Sequence, residues 1–466
     1  MDSHPYPAPP QGPHDPPDPE DSYRYRAPRR QPLLNEREKQ TRRDDIIASL
    51  GTAVPREVTL AFTHFAGHHS YVCRLLFADD LTSAWSARCV RKELIGTTVS
   101  ELREAWDQAI DAQGWATRLG SAGPHEDRWE PVFGKLAAAG RSAFEAIFLN
   151  HADARPMNEL TEALCARLRS RRCVIGVWSD ELFAPWTLLS LPPGDDMAEP
   201  PADEYTEGDG GRRRTVAEVM GPQFLGYRHL IEHRSLNQPA TCAGSLIPRG
   251  GPDGDRSTPG TLALVHQDLP KEHDKVLDTL GRATTLVNCM SRGPDFLALL
   301  HPDKFKDQVI YVCCHGQERG QDPARLYAST TASEAIKVGD VLRAVRGDDD
   351  RATAHTCGIH HLKGNPLLYL SVCRAGDFTP VSGESVARVL TELGTSCTIA
   401  PEVITPKVLA VEHAERFFRP FLEEGTEVGS QLRRITHDLA REYGTLLGLI
   451  YGVKGRYDAR LAPAVA

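Results

Sequence analysis

Residues 308–314 (QVIYVCC) and 367–372 (LLYLSV) limit the architecture more than any other part of this chain. Each is a continuous apolar run of strand length, without the alternation of a strand that has one wet face. A strand apolar on every side has to be covered on both faces, and helices are the usual cover. Helical spacing follows these runs at 335–344, 384–393, 406–423 and 427–443, and 395–400 supplies one more strand. Upstream, 58–63, 71–76, 173–178, 227–233, 262–266 and 284–287 read as strands, with helices at 99–112, 131–149, 158–169 and 272–280. The stripe Val132, Leu136, Phe144, Ile147 and Phe148 marks one buried helix face, and Pro185-Trp186 places an aromatic anchor against the core. Strands alternating with helices predict an α/β fold with a mainly parallel sheet sandwiched by helices.

Length and composition then bound the function. A chain of 466 residues is long for one ordinary domain. Residues 1–45 are Pro-rich and lack apolar periodicity, so they are expected to be a disordered arm. Residues 46–191 form an N-terminal α/β part, 192–260 a loop-rich insertion, and 261–466 the part that holds the two apolar runs. The net charge of -9 argues against direct nucleic-acid binding or attachment to an anionic membrane. A protein or small molecule is the expected partner. Eleven cysteines in no regular framework read as reduced thiols, and no stretch has the length or apolarity of a membrane span. With no secretory pattern in MDSHPYPAPPQGP, the cytosol is the expected compartment.

The two apolar runs end on reactive residues: His315 in VCCHGQ and Cys373 in LSVCRAG. In a parallel sheet, catalytic groups collect outside the carboxyl ends of the strands, so both would emerge on one edge. Cys373 suits a nucleophile, and His315 a base that takes the thiol proton and later protonates the leaving amine. Backbone amides at Gly316 and Cys373 are natural oxyanion donors, each worth on the order of 3 kcal/mol of barrier. The pairing has a precedent in spacing, since caspases place a histidine about 50 residues before the cysteine. Here the separation is 58.

These motifs, with VIGVWSDELFAPWTLL, PVFGKLAAAGRSAFEAIF and the tail GESVARVLTELGTSCTIAPEVITPKVLAVEHAERFFRPFLEEG, resemble the CHAT peptidases, caspase-like proteins related to separase and caspases. The resemblance covers about 308–455 well and about 132–189 moderately. It implies a caspase-like fold, with the first half an α+β extension or a pseudo-caspase half, and 261–466 as the catalytic part. His315 would be the general base and Cys373 the nucleophile of a cysteine endopeptidase that needs no cofactor and no metal. It also implies a protein substrate, an activating sensor protein or ligand, and a setting in bacterial defence or cell death. Relatives that cut after basic residues often carry an acid two positions before the nucleophile. Ser371 stands there, while Asp377 and Glu384 lie downstream as candidate pocket residues.

Three alternatives stay beside this reading. Residues 58–189 could bind a ligand or partner, making the chain an adaptor on a protease-like scaffold. The dyad could also be inert packing. The cluster His355, Cys357, His360 and His361 has zinc-type ligands but matches no metal template. Regulation is expected through the loops 192–214 and 244–260, with Arg212, Arg213, Arg214 and Arg249 as exposed cleavage points.

Overall fold

The computed structural model describes residues 56–462, except 66–69, 113–128, 150–153, 180, 194–213, 235–245, 250–258, 285, 302–303, 315–324, 327–334, 347–361, 363, 374 and 376–385. Pro55–Ala466 is one compact unit, and the segment before it, including the Pro-rich arm, lies outside the described residues.

An eleven-stranded sheet runs through this unit. In chain order its strands are β1 (Val58–Phe65), β2 (Ser70–Phe77), β3 (Asp80–Arg91), β4 (Val174–Trp178), β5 (Leu230–Arg234), β6 (Gly260–Val265), β7 (Leu286–Met290), β8 (Val309–Cys313), β9 (Leu367–Ser371), β10 (Cys397–Pro401) and β11 (Tyr451–Gly455). In space they run β3-β2-β1-β4-β5-β11-β10-β9-β8-β6-β7. The hairpins β1/β2 and β2/β3 are antiparallel, as is β10/β11. Every other neighbouring pair is parallel.

The antiparallel join at β10/β11 reverses the sheet. β4 and β5 run with β11, whereas β10, β9, β8, β6 and β7 run the other way. The carboxyl ends of the first half therefore open on one edge of the sheet and those of the second half on the opposite edge. One sheet thus contains both halves, which 46–191 and 261–466 alone did not decide.

The helices are α1 (Lys92–Ala112), α2 (Trp129–Phe148), α3 (Ala154–Ser170), α4 (Pro270–Ala283), α5 (Gly293–Leu299), α6 (Val338–Arg346), α7 (Val386–Glu392), α8 (Lys407–Glu423) and α9 (Val428–Tyr443). One core holds α1, α2, α3, α4, α8 and α9 against one face of the sheet. A second core lies on the other face, where Phe296 of α5, Val341 and Val345 of α6, and Val386, Val389 and Leu390 of α7 meet Leu262, Ile310, Val312, Leu368 and Leu370. Strands β8 and β9 are buried at every position, the property their sequences demanded. By contrast, β2 alternates between buried and half-buried residues.

Close packing explains particular residues. On α2, a Cβ at Gly140 would stand 2.5 Å from the Leu188 carbonyl, so only glycine lets that helix approach 188–190. Trp186 is buried against Phe62, with ring centroids 5.7 Å apart, which is the anchor expected after Pro185. Four elements depart from the sequence expectation, one of them the short helix α5, which no periodicity announced. The strand expected at 227–233 begins only at Leu230, because Leu225–Arg228 is a single helical turn. β3 and β11 had no apolar run to reveal them: β3 reads DLTSAWSARCVR, and β11 (YGVKG) carries Gly452 and Lys454.

Candidate active site

Parallel pairing of β8 and β9 sets the register of the expected site. Tyr369 lies opposite Tyr311, and Ser371 opposite Cys313. Cys373 and His315 each come two residues after that last pair in sequence. His315 and Gly316 themselves lie outside the described residues, as do Asp377 and Glu384.

Cys373 is half-buried, just past the carboxyl end of β9. Its sulfur meets the segment that connects β10 to α8: the Thr405 amide donates to Sγ at 3.5 Å, and Sγ lies 3.8 Å from the Thr405 carbonyl. Thr405 directly precedes Pro406, the N-cap of α8. An amide N–H at the start of a helix favours the anionic form of a sulfur.

The neighbouring thiol has a different setting. Cys313 is buried, its Sγ lies 3.1 Å from His273 Nε2, and burial pushes its pKa up to about 12. It stays a neutral thiol at any physiological pH. Cys173, at the start of β4, is likewise pushed up to about 11 by burial. Of these three cysteines, only Cys373 is accessible.

Beneath Cys373, Ser371 is buried at 5% exposure. It shares a face of β9 with Tyr369, whose ring packs on Phe417 and Phe418 of α8. Two tyrosine–histidine pairs stiffen this floor. Tyr311 OH is 2.9 Å from His273 Nδ1, and Tyr369 OH is 2.6 Å from His413 Nδ1. His413 also stacks on Tyr451, with centroids 3.9 Å apart. Burial lowers the His413 pKa to about 3 and holds the ring neutral. These rings are therefore packing groups, each tyrosine hydroxyl of the two pairs lying within hydrogen-bond distance of its histidine.

A second imidazole lies on the same edge, at the end of β6. His266 donates its backbone N–H to the Cys313 carbonyl at 2.8 Å, and its Nδ1 accepts the Asp268 amide at 3.2 Å. β6 stands two strands from β9, roughly 10 Å, and His266 braces this edge of the sheet through these two bonds.

Sequence reading missed the groups that hold Thr405. Asp107 on α1 accepts the Ile404 amide at 2.8 Å. Arg103, one turn earlier, donates to Glu402 at 3.2 Å and to the Phe183 carbonyl at 3.3 Å. Lys454 on β11 donates to the other Glu402 oxygen at 2.6 Å. All four charged side chains are buried. Nothing local marks them, because Asp107 and Ile404 are 297 residues apart.

Of the expected cleavage points, Arg249 is not exposed. Its guanidinium donates to the carbonyls of Ala462 at 2.5 Å and Leu422 at 3.3 Å. Arg214 is exposed, and Arg212 and Arg213 lie outside the described residues. So does the cluster His355 to His361, and among the described residues no group of three or more His, Cys, Asp or Glu is placed to hold a metal. No described helix is long and apolar enough to cross a membrane.

No family model matches the chain, and no curated protein matches it. Among solved structures it is similar to a chain of the complex of Porphyromonas gingivalis RgpB pro- and mature domains, at 9% identity and a TM-score of 0.42 over 72% of this chain and 78% of that one. It is also similar to a chain of the Saccharomyces cerevisiae separase–securin complex at 3.0 Å, at 8% identity and a TM-score of 0.45 over 90% of this chain. A second structure of that complex, at 2.6 Å, gives 7% identity and a TM-score of 0.41 over 91% of this chain. In each case the chain spans 31% of the yeast chain's length.

Proposed function

We propose that this chain is a caspase-like cysteine endopeptidase with Cys373 as nucleophile and His315 as general base. The observation that carries the reading is the setting of Cys373: half-buried at the carboxyl end of a central strand, with a backbone amide donating to its sulfur. The likeness of the surrounding motifs to CHAT peptidases supports the same roles.

The thiol proton passes to the imidazole as Sγ attacks the peptide carbonyl, and a tetrahedral oxyanion forms under the amides of Cys373 and Gly316. Collapse of that intermediate breaks the C–N bond, and the amine leaves with the proton from the imidazole. Water, deprotonated by the same imidazole, then hydrolyses the thioester and restores the thiol. A protein is the substrate, Ser371, Asp377 and Glu384 are candidate pocket residues, and a sensor protein or ligand is the activator. The cytoplasm and bacterial defence or cell death are the setting this reading assigns.

The test is cleavage of a diverse peptide library read by mass spectrometry, with wild type beside Cys373→Ala and His315→Ala. Cuts that share one residue before the scissile bond and vanish in both variants support the proposal. Cuts that persist in Cys373→Ala would overturn it. If wild type makes no cut, the assay is repeated with proteins from the host lysate added as activators and substrates. Silence there favours the adaptor.

A further inference from the structure

We infer that Arg103 and Asp107, in the first half of the chain, are positioning residues for Cys373. They hold 402–405 so that the Thr405 amide stays aimed at the sulfur. The inference rests on the proposed role of Cys373 and adds a control point to it.

The argument starts from what 402–405 lacks. β10 ends at Pro401 and α8 begins at Lys407, so the residues between have no ladder to orient their amides. Each amide bond they make goes elsewhere. Glu402 N–H donates to the Ile450 carbonyl at 2.8 Å, Ile404 N–H to Asp107 at 2.8 Å, and Thr405 N–H to Cys373 Sγ at 3.5 Å. Asp107 therefore fixes the peptide unit next to the one that faces the sulfur.

The other end is pinned by charge. Glu402 is clasped between Arg103 at 3.2 Å and Lys454 at 2.6 Å. It also lies against Gly452, where a Cβ would stand 2.9 Å from its Oε1. Arg103 and Asp107 stand four residues apart and so share one side of α1. A shift of that helix would move both pins together. The amide that faces Cys373 is thus set by a helix nearly 300 residues away in sequence, which makes the first half a lever on the reactivity of the nucleophile.

The experiment measures alkylation of Cys373 by iodoacetamide in the full chain, by peptide mass spectrometry, from about pH 5 to about pH 10. Lys407 and Cys313 also act on this region and are unchanged in every variant. Asp107→Ala and Arg103→Met should each raise the alkylation midpoint by about one pH unit, slowing the reaction at neutral pH about tenfold. Asp107→Asn keeps an acceptor oxygen for the Ile404 amide and should stay within about twofold of wild type. Unchanged midpoints in folded Asp107→Ala and Arg103→Met would overturn the inference. Should both variants fail to fold, Arg103→Lys decides it, since it keeps a charge for Glu402 but gives up the planar guanidinium that also reaches the Phe183 carbonyl: a raised midpoint supports the inference and an unchanged one overturns it.

Alkylation needs no peptide cleavage. A shifted midpoint with a silent cleavage assay would therefore sink the peptidase reading and leave the positioning role standing. Intact cleavage with unshifted midpoints would do the reverse.

Discussion

The two halves of the sheet use their faces and ends differently. The second half is covered on both faces, so β8, β9 and β10 are buried at every position and contribute one half-buried thiol where β9 stops. In the first half, the described helices cover one face only. The other face of β4 and β5 carries ion pairs: Glu232, fully buried, takes Arg56 through both carboxylate oxygens at 2.8 and 2.9 Å and Arg234 at 2.8 Å. Arg56 also reaches Asp458, which pairs with Arg456. The ends of β4 and β5 close on themselves, with Ser179 N–H on the Arg234 carbonyl and the Arg234 guanidinium over Trp178. A half-buried thiol at a strand end marks the second half, and charge buried within a sheet face marks the first, the half that holds.

The largest expected effect tests that division directly. Cys373→Ala should lower peptide cleavage by on the order of 1000-fold or more, while Cys173→Ala, at the start of β4, should leave it within about twofold. Single-turnover kinetics on a cleaved peptide would decide, and equal losses in both variants would break the comparison. Next, Glu232→Ala strips a buried charge from Arg56 and Arg234 and should destabilise the fold by about 3–5 kcal/mol in urea unfolding. In the folded fraction, alkylation of Cys373 should not change, since Glu232 belongs to the holding half.

In one respect the halves should behave alike. His229 and His413, one in each half, are both depressed to about 3 by burial from the ordinary 6.5. A histidine with a lowered folded-state pKa binds its proton more weakly folded than unfolded. Its contribution is therefore complete above about pH 6.5 and is lost progressively as pH falls towards 3. Each should take away about 1.4 kcal/mol of stability per pH unit across that window. Urea midpoints between these limits should show a shallower slope for either His→Phe variant. The smallest effect is Gly96→Ala on α1, where nothing stands within 4 Å of the added Cβ. It should stabilise the fold by up to about 1 kcal/mol in thermal unfolding, with Cys373 reactivity unchanged.

How much of this could be read from residue order depends on the range of the interaction. β8 and β9 were legible because being covered on both faces writes itself into consecutive residues, and α2 because a buried stripe repeats every three to four. β11 was not legible: Gly452 and Lys454 fit a central strand only because Glu402 lies over the glycine and neutralises the lysine. β5 was anticipated as a strand, but not how its charges are held: LIEHR sits in the interior with Arg56 on Glu232. Of the expected site, Cys373 stood out as a reactive residue ending an apolar strand. Thr405, Asp107 and Arg103 did not, because their part depends on who lies opposite.

Sequence alone therefore determined most local elements of the second half and the burial of its central strands, and it singled out Cys373 as a candidate. These follow from periodicity and from the cost of exposing apolar side chains, and both are properties of short windows. Only the tertiary structure decided that the two halves share one sheet, that the sheet reverses at β10/β11, and that an α1 carboxylate holds the peptide unit beside the sulfur. Those features come from pairings between residues hundreds of positions apart. Pattern does not encode them, because a buried charge or a central glycine is acceptable only when its distant partner is in place.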